Sequence, residues 1–209
     1  MQHENMRGEW NFRDREKDDF RIRCGYLEKP RFLIGVAPTS YGINKYDSYV
    51  MVFRQEEESL IKEGHWRGRE DVGYIVFVTE ELVSRLKDVA SRIKVGVILN
   101  NCGKALIERF EKKFSSRLYR EEGSKEYGIS IDNIEGLLED LKECKNDIVL
   151  LPNEKTDIFS IADRQGNEVK PEKHEAYILA LAAACRMFRF FKNSTPLPKV
   201  APTYESRRY

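Results

Sequence analysis

In this chain of 209 residues, 36 lysines and arginines nearly cancel 35 aspartates and glutamates. That balance excludes a strong global field toward nucleic acid or an anionic membrane, so any electrostatic footprint is local. The length suits one domain that buries about 70% of the surface its unfolded form exposes, and the 41% hydrophobic content, gathered in separate periodic runs, excludes a disordered chain.

Residues 1–29 alternate charges of both signs with isolated aromatics, Trp10, Phe12 and Phe20. They read as an arm or linker, with a short edge strand near Phe20 to Tyr26. The folded body, 30–192, opens with Arg31-Phe-Leu-Ile-Gly-Val-Ala37, an apolar run that predicts a strand; Pro38 to Asp47 reads as a turn and Ser48-Tyr-Val-Met-Val-Phe53 as a second strand. A third strand around Ser59 to Trp66 completes an antiparallel meander. Beyond Arg67-Gly-Arg-Glu-Asp71 and the apolar stretch Tyr74 to Val78, Thr79 is placed to cap a helix over 80–93, with Leu82, Leu86, Val89 and Ile93 at helical spacing. Lys94 to Leu99 reads as a buried strand, Asn100 to Gly103 as a turn and Lys104 to Phe114 as a helix. Asp132 with Glu135 resembles a capping box for a helix to Glu143. Asp147 to Pro152 and Thr156 to Ala162 read as strands, and Pro171 to Phe191 as a last helix whose stripe of Ile178, Leu179, Ala182, Cys185 and Met187 is core. This order predicts an α/β fold around a sheet of mixed direction.

From Arg186 to Tyr209 the basic residues Arg186, Arg189, Lys192, Lys199, Arg207 and Arg208 interleave with aromatics against one acid, Glu205. Pro196, Pro198 and Pro202 make the tail, 193–209, extended, and its charge could neutralise phosphates. Cys24, Cys102, Cys144 and Cys185 are widely spaced with no CxxC pair, which predicts reduced thiols rather than a zinc or redox motif. No GxxxxGK[ST] loop is present, hence no ATPase motor. Met1-Gln-His-Glu-Asn has no signal-peptide character, and no run approaches the roughly 18 apolar residues of a membrane span. A cytoplasmic protein without membrane contact is expected.

Three motifs in this order resemble the nuclease domain of viral large terminase subunits, which cut concatemeric DNA during capsid packaging. Ile34-Gly-Val-Ala-Pro-Thr-Ser-Tyr-Gly42 with Tyr46-Asp-Ser-Tyr-Val50 is similar to the family's GVDPA hairpin. Val97-Ile-Leu-Asn-Asn-Cys-Gly-Lys-Ala-Leu106, continued by Arg117-Leu-Tyr-Arg120 and Glu126-Tyr-Gly-Ile129, is similar to its strand and helix around "I-E-x-N-x-x-G-x-x-L". His174-Glu-Ala-Tyr-Ile-Leu-Ala-Leu-Ala182 is similar to its final helix.

The resemblance implies a ribonuclease H-like mixed sheet, an antiparallel three-strand meander plus parallel strands, flanked by helices. It also implies two-metal phosphodiester hydrolysis with Mg²⁺ or Mn²⁺, which needs convergent carboxylates. The family's acidic positions here read Ala37, Leu99 or the adjacent Asn100, and Glu175-Ala176, so only Glu175 keeps a carboxylate. The expectation is a pseudo-nuclease that holds double-stranded DNA, or a packaging partner such as a separate terminase ATPase or portal-type protein, in the cytoplasm of an infected host or in a provirus setting. Two alternatives stand beside it. One is an active endonuclease with a rearranged site, in which Asp47 and Glu175 hold the metal together with the amide oxygen of Asn100 or Asn101; the other is a structural protein-interaction domain. Asp47 also reads as an ordinary turn residue, His174 as a helix-start residue, and Asn100-Asn101 as turn-forming. On the family's template, Lys45, Arg67, Arg69, Lys104 and Lys173 would meet the DNA backbone without reading bases.

Overall fold

Six of the seven residues from Arg31 to Ala37 are buried, which requires that both faces of this strand be covered. The computed structural model describes residues 7–12, 30–39, 47–56, 58–88, 90–131, 134–151, 154 and 176–193. Within them the strands are β1 (Glu9–Phe12), β2 (Arg31–Ala37), β3 (Ser48–Gln55), β4 (Leu60–Gly68), β5 (Arg92–Leu99), β6 (Ile129–Ser130) and β7 (Ile148–Val149). The helices are α1 (Val72–Leu86), α2 (Asn101–Phe114), α3 (Ile134–Cys144) and α4 (Ala176–Asn193). The sheet order is β1-β4-β3-β2-β5-β6, with β7 also on β4. Strands β1, β4, β3 and β2 pair antiparallel, whereas β5 joins β2, and β6 joins β5, in parallel. The α/β fold with a mixed sheet read from the sequence is the fold observed.

Strand alternation divides the core between the two faces. Phe32, Ile34, Val36, Val50, Val52 and Trp66 share one buried cluster with Ile75, Val78 and Leu82 of α1 and Leu106 and Phe110 of α2. On the other face Leu33, Ala37, Met51 and Phe53 share a cluster with Leu137 and Leu141 of α3 and with Ala180, Ala184, Met187 and Phe188 of α4. Small residues let α4 come very close to β2: a Cβ on Gly35 would run into the Ala180 carbonyl oxygen.

The meander, β5, α2 and α3 fall within a few residues of their expected positions. The helix expected at 80–93 starts instead at Val72, where the Asp71 carboxylate accepts from Tyr74 N at 2.9 Å. Thr79 lies inside that helix, its hydroxyl donating to the Ile75 carbonyl four residues back at 2.9 Å. Ile93 belongs to β5. The 147–152 strand shortens to Ile148–Val149, which pairs with Leu60 and Ile61. Residues 9–12, in the segment read as an arm, form an edge strand with Trp10 opposite Trp66. The strands expected at Phe20 to Tyr26 and Thr156 to Ala162, the first residues of the last helix and the tail after Asn193 lie outside the described residues. No helix among the described residues is long and apolar enough to cross a membrane.

Gly35→Ala should lower stability by about 1–3 kcal/mol through overpacking against α4, read as a reduced urea midpoint with an unchanged m-value. An unchanged midpoint would mean that α4 does not rest on β2 at this point.

Candidate functional site

Because β2 and β5 run parallel, their carboxyl ends lie side by side, and Asn100 braces one against the other. Its Oδ1 caps α2 by accepting from Gly103 N at 2.8 Å, and its Nδ2 donates to the Pro38 carbonyl at 2.6 Å. Across the hairpin mouth, Thr39 N donates to Ser48 Oγ at 2.9 Å and the two hydroxyls lie 3.1 Å apart. Ala37 pairs with Tyr49, and Tyr49 with Arg67. The two-residue period therefore sets Ala37, Asp47, Tyr49, Arg67 and Arg69 on one face.

At that face Ala37 is 1% exposed and Ala176, the first residue of α4, is 4% exposed, both in the same apolar cluster as Tyr49. Asp47 accepts from Arg69 Nε at 2.8 Å. Arg67 pairs with Glu9 of β1, and its hydrogen bond with the Tyr49 hydroxyl is the main force holding its guanidinium pKa above the ordinary value. Lys104 and Asn100 line an open cavity of about 410 Å³ together with Asn101, Glu121, Glu126 and Ser130. Asp47, Arg67 and Arg69 thus share one strand-end face, whereas Asn100 and Lys104 border a neighbouring cavity; Lys45, Lys173, His174 and Glu175 lie outside the described residues.

Sequence reasoning missed a buried polar group on the same face, further from the strand ends. The Lys62 side chain is fully buried; its Nζ pairs with Glu154, lies 3.2 Å from the Tyr177 hydroxyl and sits 4.6 Å from the Tyr177 ring centroid. His65 Nδ1 is 3.5 Å from Glu154 Oε1, and its ring packs with those of Tyr49 and Tyr177. Burial pushes Lys62 below the usual lysine range against the pull of Glu154. Burial, reinforced by the Lys62 and Arg67 charges, pushes His65 down to about 3. Burial and the Glu154 carboxylate raise Tyr177.

These residues do not fit a pair of hard divalent cations. Among the described residues no group of three or more His, Cys, Asp or Glu side chains is arranged to hold a metal. Ala37, Leu99 and Ala176 offer no side-chain donor, Asp47 is engaged by Arg69, and both ends of the Asn100 amide are in use.

No protein-family model and no curated protein matches the chain. Among solved structures, the large terminase nuclease from the thermophilic phage G20c is 16% identical over 78% of this chain and 85% of that one, with a TM-score of 0.50. The same nuclease with bound magnesium is 18% identical over 77% and 83%, with a TM-score of 0.51. This chain has the fold of a large terminase nuclease. At this identity the likeness speaks for the fold alone.

The buried group makes stability depend on pH. Above pH 6.5 His65 is neutral folded and unfolded; below it the unfolded chain takes up a proton that the folded protein refuses. Stability complete above 6.5 is therefore lost as the pH falls toward 3, by roughly 3 kcal/mol at pH 4. Urea titrations of wild type and His65→Gln from pH 7 to 4 should show the slope flattened in the variant. Lys62→Met should cost about 3–5 kcal/mol at pH 7 by stranding Glu154, and adding Glu154→Gln should recover most of that loss.

Proposed function

We propose that this chain is a terminase-nuclease-type domain of viral DNA packaging or processing that holds double-stranded DNA without cutting it. The observation that carries the reading is the end of β2. Hydrolysis by two metal ions needs carboxylates converging on one hydrated spot. Here that spot is occupied by Ala37 and Ala176, packed with Tyr49 into the apolar core. Asp47, the described carboxylate nearest in sequence to this strand end, neutralises Arg69.

What remains at the strand ends suits contact with a phosphate backbone. Arg67 is held by Tyr49 and Glu9, and Arg69 by Asp47, so each guanidinium keeps further N–H groups to offer while its orientation is set. With Lys104 at the mouth of the neighbouring cavity, these cations would position a duplex without reading its sequence. In a packaging setting the partner of such a domain would be a separate terminase ATPase or a portal-type protein.

The test is Mn²⁺ calorimetry with supercoiled-plasmid cleavage in the same samples, on wild type and Asp47→Ala. No saturable metal binding and no nicking are expected in either; nicking that disappears in Asp47→Ala would establish a rearranged nuclease and sink the proposal. Mobility shifts with linear duplex in EDTA should show binding that weakens with salt. Arg67→Ala with Arg69→Ala should lower the steepness of that salt dependence by about 2 in log–log slope. Failure to bind duplex at low salt would leave a protein-interaction domain instead.

A further inference from the structure

Where α3 meets α4, two cysteines far apart in sequence stand together. Cys144 ends α3 and is 2% exposed; Cys185 lies within α4 and is fully buried. The Cys144 thiol donates to the Cys185 backbone carbonyl at 3.9 Å, and each thiol shifts the ionisation of the other. Among the described residues Cys102, Cys144 and Cys185 are all in the reduced form, with no disulfide between them. Cys102, by contrast, sits at the start of α2, beside the cavity at the amino end of α1.

The two sulfurs are unequal. The hydrogen bond from Cys185 stabilises a thiolate on Cys144 and draws that thiol below the ordinary range, outweighing the opposing effect of burial; the Arg189 charge acts in the same direction and those of Asp147 and Asp140 against it. Burial, then the bond to Cys144, pushes Cys185 well above it. One sulfur is thus disposed to attack and the other to follow. Cys144 is also the last residue of its helix, with exposed Lys145 and Asn146 after it, so fraying of a single turn would admit a small oxidant.

We infer that Cys144 and Cys185 are a redox pair that closes into a disulfide, stapling α3 to α4, when the protein meets a hydroperoxide. The Cys144 thiolate attacks hydrogen peroxide, breaking the O–O bond to give a sulfenic acid and hydroxide. The Cys185 sulfur then attacks the sulfenic sulfur, forming the S–S bond; its proton leaves and the sulfenic hydroxyl departs as water. Two thiols are oxidised to one disulfide while one peroxide is reduced to two waters. The cross-link closes a loop that includes β7 and Glu154, the residue that Lys62 already holds.

The experiment treats the whole chain with hydrogen peroxide, alkylates under denaturing conditions and maps the peptides. The expected product is lighter by about 2 Da, the two hydrogens lost, with Cys144 and Cys185 in one linked peptide and Cys24 and Cys102 still alkylated. Its Tm should rise by roughly 10 °C, the scale for a loop of this length in a domain of this size, and dithiothreitol should reverse the rise. Cys144→Ala and Cys185→Ala should each show neither the link nor the shift. Full alkylation of both residues after peroxide, added oxygen without a cross-link, or a bond through Cys24 or Cys102 would overturn the inference. The wild-type peptide map decides the matter even if a variant folds poorly.

Discussion

The alanine-rich face of α4 lies so close to β2 that Gly35 has no room for a Cβ, and this approach sets the rest of the site. It brings the first turn of α4 over the carboxyl end of β2, placing Ala176 with Ala37 and Tyr49 in one dry cluster. It also aims Tyr177 at Lys62 and aligns Cys185 with the end of α3. Close helix–sheet contact of this kind depends on small side chains along the whole line, and Ala176, Ala180, Ala183 and Ala184, at helical spacing, are all buried. Dense packing then forwards any change at one point to its neighbours.

Two kinds of cation share the face beyond α4, and their surroundings separate their roles. The Lys62 ammonium has exchanged its hydration for Glu154, a tyrosine hydroxyl and a π-face. Such a pair contributes little net stability, yet either partner is costly to remove alone, so its value lies in specifying one arrangement of β4, the segment after β7 and α4. Arg67 and Arg69 stay substantially exposed with a single acid each. They remain available to a polyanion, as Lys62 does not.

Much of the fold was legible because burial on both faces leaves a plain mark. The continuous apolar runs of β2 and β5 could hardly be anything but central strands, and three motifs in order pointed to the terminase nuclease fold. The start of α1 was misplaced because Thr79 read as the cap, and only the helix's own hydrogen bonding shows Asp71 capping it and Thr79 turned inward to Ile75. Strand β1 was not seen because four residues of alternating exposure carry too little pattern; its pairing with β4 is what makes it a strand.

The missed polar group has a sharper cause. Lys62 and His65 are three apart, a spacing that sends side chains to opposite faces of a regular strand. In β4 the pairing jumps from Val52 with Gly64 to Phe53 with Lys62, leaving Glu63 as an extra residue. That bulge resets the alternation, so Lys62 opposite Phe53 and His65 opposite Met51 face the same side. Glu63 meanwhile pairs with Arg54 at 2.7 Å.

By itself the sequence determined the sheet's central strands, the amphipathic helices over them and the absence of acids at Ala37, Leu99 and Ala176, because composition and period are local properties. Tertiary structure alone decided that Ala37 and Ala176 are sealed together, that Lys62 meets Glu154 across 92 positions and that Cys144 meets Cys185 across 41. Those pairings depend on how distant segments pack, and packing leaves no trace in local spacing.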